Sequence, residues 1–166
     1  MANNGYSAGL EYPEITNATN DIRTVKIILN LYASKASELT AILQYSYQAF
    51  VLMNNLPDVA KILEQISITE MHHLELLGEA IIAFGGKPLF INAQGDSYNA
   101  DAVFYCTNPV HMIKRDIQDE QDAINDYTKS ANEVSNESLK ELFLTIAEDE
   151  KVHKKILMEV LTELEA

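Results

Sequence analysis

The sequence predicts an all-α protein, a four-helix bundle of two antiparallel hairpins joined by one long crossover. Three observations lead there. Apolar residues recur at spacings of three and four through four long stretches. Glycines and prolines are few, six and four in 166 residues, and they cluster between those stretches. The intervening gaps run short, long, short, the connectivity of a bundle with one crossover.

Residues 1–19 contain Gly5, Gly9 and Pro13 and show no period, so they read as an extended arm pinned by Tyr6, Tyr12 or Leu10. The bundle is expected over residues 20–166. Asn20 or Asp21 caps a first helix whose apolar face includes Val25, Ile28, Leu29, Tyr32, Ala36, Leu39, Ile42 and Leu43, and which should run to about Met53. A turn at residues 54–57 places Pro57 at the first position of a second helix, from about Asp58 to Phe84. Gly85-Gly86 ends that helix and Pro88 prevents its restart. Residues 85–108 lack helical periodicity and form the crossover, far longer than an ordinary connection. Asn108-Pro109 opens a third helix to about Asn132, and Ser135 or Asn136 caps a fourth that ends near Leu164.

A chain of this length makes one domain with a full core. Its formal charge of −13 repels phosphate backbones and anionic lipid, which argues against nucleic acid and acidic membranes as partners but leaves cations open. Cys106 is the one cysteine, so no intramolecular disulfide, Cys-based zinc site or iron–sulfur cluster can be built from it. The polar start lacks a basic segment followed by an apolar run, and no apolar stretch approaches the ~20 residues that span a bilayer, so a cytoplasmic protein is expected.

Four histidines are present: His72, His73, His111 and His153. Two have a glutamate three residues earlier, as Glu70-Met71-His72-His73 on the second helix and Glu150-Lys151-Val152-His153 on the fourth. On a helix, i and i+3 lie roughly 60° apart and ~4.5 Å along the axis, so both side chains can reach one cation. A dinuclear site of this design wants one further carboxylate from each remaining helix. Glu38 is the only acid of the first helix beyond its first turn and lies beside a core face. Glu120 is chosen on the third by spacing: Glu38 precedes Glu70 by 32 residues and Glu120 precedes Glu150 by 30. Asp116, one turn earlier near the same face, is the alternative, as a site member or a solvated acid. Tyr45 and Tyr127 each follow their glutamate by seven residues, nearly two turns, which puts each on that glutamate's face, as a core residue or a hydrogen-bond partner of the site. The halves thus repeat Glu…Tyr…Glu-x-x-His. Four carboxylates and two neutral imidazoles would balance two divalent ions and make their burial tolerable. Oxygen and imidazole donors suit iron or manganese and leave positions open for O₂ or peroxide. His72 is read as surface or interface, His111 as structural or exposed, Met71 as a packing or interface residue, and Cys106 as a small buried apolar group.

With Glu38, Glu70-x-x-His73, Glu120 and Glu150-x-x-His153 in place, the chain resembles the ferritin-like di-metal carboxylate proteins, most closely the rubrerythrin-like branch, over about residues 20–165. The resemblance implies that these six residues bind two iron ions, with Glu70 and Glu150 bridging and Tyr45 and Tyr127 hydrogen-bonded to the carboxylates. It implies reduction of hydrogen peroxide or O₂ by iron cycling between ferrous and ferric forms, in a homodimer. Two departures stand out. One cysteine cannot make the Cys₄ rubredoxin-like module, so an external electron donor protein is required. Ile117 stands where that branch carries an additional glutamate, which moves the site toward the bacterioferritin-like or manganese-catalase-like pattern. Dimanganese catalase and bacterioferritin-like iron oxidation and storage are therefore the alternative functions, and a metal-free interaction bundle is the non-catalytic one.

Overall fold

A computed structural model describes residues 5–166. Among them the chain forms five α-helices: α1 (Ile22–Ala33), α2 (Glu38–Leu52), α3 (Pro57–Ala83), α4 (Pro109–Glu133) and α5 (Glu137–Leu164). They make four rods, α1 and α2 forming the first between them. No strand is found among the described residues, only an isolated bridge between Ile91 and Ser97 in the crossover. The four-helix bundle of two hairpins and one long crossover is as the sequence predicts: α2 packs along α3, and α4 along α5.

Helix ends follow local chemistry. The carboxylate of Asp21 accepts from the Arg23 backbone N–H, and Asn108 and Asn136 cap α4 and α5 in the same way. Pro57 and Pro109 occupy first-turn positions, where a missing N–H breaks nothing. At the end of α3, Gly85 takes φ 80°, and the Gly86 N–H returns to the Ile81 carbonyl.

One expected boundary is corrected. The first helix does not run unbroken from residue 20 to Met53: it breaks at residues 34–37. Ser34, Lys35, Ala36 and Ser37 do not oppose a helix by propensity. Serine hydroxyls nevertheless compete for the backbone there: Ser37 Oγ and Thr40 Oγ1 both donate to the Ser34 carbonyl, at 2.8 and 3.1 Å. Ser37 then caps α2, which leaves Glu38 as its first residue.

The core is two apolar blocks with a polar layer between them. One block joins α1 to the C-terminal part of α3, the end of α4 and the start of α5, through Ile28, Leu77, Ile81, Leu142, Phe143 and Ile146. The other joins α2 to the start of α3, the start of α4 and the end of α5, through Leu52, Leu63, Ile66, Met112, Ile113 and Leu157. Partly buried Ile117 and Cys106 pack on the second block. The crossover lies over the first rod: Phe90 stacks on Tyr32 at 5.5 Å, Tyr47 donates to the Cys106 carbonyl, and the Phe104 N–H donates to Gln44. Residues 5–19 have no helix, and Tyr12, Ile15 and Ala18 pack against the first block. Residues 1–4 of the expected arm lie outside the described residues.

Candidate metal centre

Between the two apolar blocks, every rod contributes acidic side chains to the interior. Glu38 comes from the start of α2, Glu70 and His73 from mid-α3, Glu120 from mid-α4, Glu150 and His153 from mid-α5. None of the six is more than 4% exposed. They fall into two overlapping groups whose donor atoms lie within 4.8 Å of one another: Glu38, Glu70, His73 and Glu150, and Glu70, Glu120, Glu150 and His153. Glu70 and Glu150 belong to both groups, as bridging carboxylates must; Glu38 and Glu120 each belong to one. Around His73 Nδ1 stand Glu70 at 2.9 Å, Glu150 at 3.3 Å and Glu38 at 3.5 Å. Around His153 Nδ1 stand Glu150 at 3.0 Å, Glu70 at 3.1 Å and Glu120 at 3.8 Å. The two rings are 6.1 Å apart.

The outer ring nitrogens decide the tautomer. His73 Nε2 donates to Asp149 Oδ2 at 3.1 Å, and His153 Nε2 donates to the Tyr6 backbone carbonyl at 2.8 Å. Neither partner has a proton to give, so Nε2 carries a hydrogen and Nδ1 of each ring faces a cage of carboxylate oxygens. Lone pairs and anions at such distances repel unless positive charge lies among them. Protons or cations can supply it, and the donor set fits two divalent ions.

Proton affinities record the same demand. Burial, reinforced by Glu70, pushes the Glu38 carboxyl well above the ordinary glutamate range, and burial with Glu150 does so for Glu120. Glu70 is held low although burial raises it, because the His153 and His73 imidazoles pull it down. Glu150 is lowered by the same two imidazoles against burial and Glu70. Burial acts to lower both histidines, yet the surrounding carboxylates, Glu38 foremost for His73 and Glu70 for His153, lift them well above their usual value.

Tyr45 and Tyr127 are buried and touch the site, with crossed partners. Tyr45 donates a short hydrogen bond to Glu120, and Tyr127 donates one to Glu38. Each tyrosine was expected on the face of the glutamate preceding it in its own half. Both side chains point inward between facing rods, so each hydroxyl meets the glutamate of the opposite half. Asp116 stands apart from both groups. It is fully buried, and its Oδ1 accepts from the amides of Gln44 and Gln48 at 2.8 and 2.9 Å. Burial pushes it up to about 7, and a proton on Oδ2 would give that otherwise unpartnered atom a role. His111 is exposed, Met71 is 48% exposed, and His72 is half-buried with the Tyr12 ring edge against it at 5.1 Å. Asp149 was not singled out from the sequence, being one acid in an acidic run, and Tyr6 and Tyr12, expected only to pin the arm, reach the site from more than 130 residues away.

A cavity of about 140 Å³ reaches the centre between the first rod and α4. Glu38, Glu70, Glu120, Glu150, Tyr45 and Tyr127 line its inner part, and neither histidine does. Lys35, Arg115, Asp122 and Asp126 lie toward solvent, beside the break at residues 34–37. At ~30 Å³ per water, this space holds only a few water-sized molecules.

Comparison with solved structures gives the same architecture. The manganese catalase KatB from Anabaena PCC7120 superposes with a TM-score of 0.84 at 23% identity, covering 91% of this chain and 76% of that one. A Desulfovibrio desulfuricans bacterioferritin with a diiron site gives 0.73 at 23% identity, over 86% and 80% of the two chains. The dodecameric thioferritin of Bacteroides fragilis gives 0.69 at 22% identity, over 87% and 88%. No curated protein matches the sequence. No described helix is long and apolar enough to cross a membrane. The rubrerythrin family profile matches residues 30–161, the span that carries all six inward-facing donors, and the chain belongs to the rubrerythrin family of the ferritin-like superfamily.

Proposed function

We propose that the protein is a non-haem di-iron oxidoreductase that reduces hydrogen peroxide or O₂ with electrons from an external donor protein. The observation that carries this reading is the pair of buried four-residue groups sharing Glu70 and Glu150. Glu38 and His73 would help hold one ion and Glu120 and His153 the other, with Glu70 and Glu150 available to both. When bound, the metal pair supplies two one-electron changes at adjacent centres, matching the two electrons that convert peroxide and two protons into two waters.

The chain's own residues select the substrate and hold the protons. The cavity of about 140 Å³ has room for molecules of the size of peroxide or O₂. Its mouth mixes Lys35 and Arg115 with Asp119, Asp122 and Asp126, and Arg115 is paired to Asp119 at 2.7 Å, so it favours no charged substrate strongly. Burial keeps the Tyr45 and Tyr127 phenols protonated, each donating to a terminal carboxylate that faces the cavity. Those hydrogen bonds orient Glu120 and Glu38 and leave the side facing the cavity as the place where exogenous oxygen can enter. A cytoplasmic setting and a homodimer belong to the same proposal.

Dimanganese catalase is the second reading, favoured by the closer superposition on KatB. It needs no reductant, because two peroxides give O₂ and two waters. Anaerobic protein loaded separately with iron and manganese, then given peroxide with and without a reduced donor, tests both. Donor-dependent consumption with iron supports the first reading, and O₂ release without donor supports the second. No metal-dependent consumption of peroxide or O₂ in either form refutes both. Light scattering separates a small oligomer from an iron-storage shell.

A further inference from the structure

The two imidazoles are backed by unlike partners, and both belong to or are held by the N-terminal arm. His153 Nε2 meets a neutral group, the Tyr6 carbonyl, at 2.8 Å. His73 Nε2 meets a charged one, the Asp149 carboxylate, at 3.1 Å. Asp149 is 1% exposed and is fixed from the arm, accepting from the Ala8 backbone N–H at 2.6 Å on Oδ1 and from the Tyr12 hydroxyl at 2.5 Å on Oδ2. The Tyr12 ring also sets its edge against His73 at 6.2 Å, limiting the imidazole's rotation. This difference breaks the repeat between the two halves, which otherwise present matching donors.

We propose that residues 6–12 are a positioning element of the metal centre that makes its two metal positions unequal, the His73 position being the tighter. A carboxylate on the outer nitrogen makes an imidazole a stronger donor than a carbonyl does, and it places a negative charge one ring away from the ion. Tyr12 and Ala8 hold that carboxylate in place, and removing such outer partners typically weakens metal binding 10–100-fold. Asp149 and Tyr12 act through His73 and are positioning residues. The inference rests on the dinuclear reading and adds an order to the filling of its two positions.

The test uses full-length protein and manganese(II) alone. With one equivalent of manganese, anomalous diffraction should show higher occupancy beside His73 than beside His153. Asp149→Asn keeps a hydrogen-bond acceptor and removes the charge; it should weaken the first calorimetric binding step by about 10–100-fold, leave the second near its original value and abolish the occupancy preference. Tyr12→Phe keeps the ring contacts and should shift the first step in the same direction by several-fold, and it carries the test if Asp149→Asn does not fold. Equal occupancies in the unaltered protein overturn the inference, as does a Tyr12→Phe protein with both binding steps unchanged. Both results leave the dinuclear reading standing, whereas unaltered protein that binds no manganese or iron overturns that reading itself.

Discussion

Loading the apoprotein with two divalent cations should release protons from the cage. Without metal, the positive charge that the cage requires comes from protons. His73 and His153 are lifted well above the usual imidazole value and Glu38 and Glu120 well above the usual glutamate value, so all four hold their protons more tightly than in the unfolded chain. Glu70 and Glu150 are held low and ionised, so two imidazolium charges balance two carboxylates. Two metal ions replace four protons with no change in net charge, and metal binding is therefore proton exchange. Each displaced proton contributes about one decade of overall affinity per pH unit, so the product of the two binding constants should rise steeply with pH until the four groups lose their protons unaided. Calorimetric titration in two buffers of different ionisation enthalpy counts the protons directly. A release of none or one would refute the charge assignment and leave the six donors without mutual dependence. The sign extends to stability. The four raised groups stabilise the apoprotein fully below their unfolded values, and that contribution is lost as pH rises through their folded ones. Glu70 and Glu150 contribute above about 4.5, and that part is lost as pH falls through their folded values. The apoprotein should therefore be most resistant to urea near pH 4.5 and lose resistance as pH rises from there, and metal should protect it increasingly above that pH.

Glu70→Ala removes a group common to both metal positions and should cost the protein both ions, whereas His153→Ala should leave one ion held less tightly; metal analysis after desalting reads both, and unchanged stoichiometry in the two variants contradicts the site. Gly86→Ala should lower stability by about 1–3 kcal/mol, a fall in Tm on the order of 2–10 °C, because a Cβ there would lie 2.7 Å from Val25 Cγ1 and 2.9 Å from Ile81 Cγ2 within the packed core. Gly95→Ala, with φ +93° but open space around it, isolates backbone strain and should cost less; a melting curve as low as that of Gly86→Ala would show that packing at Val25 is not the cause.

The rods and the six inward donors were legible because both are periodic. A helix repeats its face every three to four residues, so Glu70 with His73 and Glu150 with His153 can be paired within one segment, and Glu38 and Glu120 follow from matching offsets. What depends on distant segments was not legible. The crossed partners of Tyr45 and Tyr127 depend on which rods face each other across the core. The hydrogen bonds from Ala8 and Tyr12 to Asp149 join residues 141 and 137 apart, and no local pattern marks them. The break at residues 34–37 escaped for another reason. Alanine, lysine and serine are all acceptable in a helix, and the deciding bonds to the Ser34 carbonyl come from hydroxyls that could equally have faced solvent.

That break and the arm give the centre two unlike sides. On the side of α3 and α5, the arm covers both imidazoles through Tyr6 and, by way of Asp149, through Tyr12 and Ala8. On the side of the first rod and α4, the cavity exposes carboxylates and phenols to small molecules and reaches neither histidine. The two imidazoles are thus enclosed, while Glu38 and Glu120, each accepting from a tyrosine hydroxyl, border the cavity. Interrupting the first rod immediately before Glu38 opens that space without disturbing α3 or α5. The apolar blocks above and below hold the four rods in place.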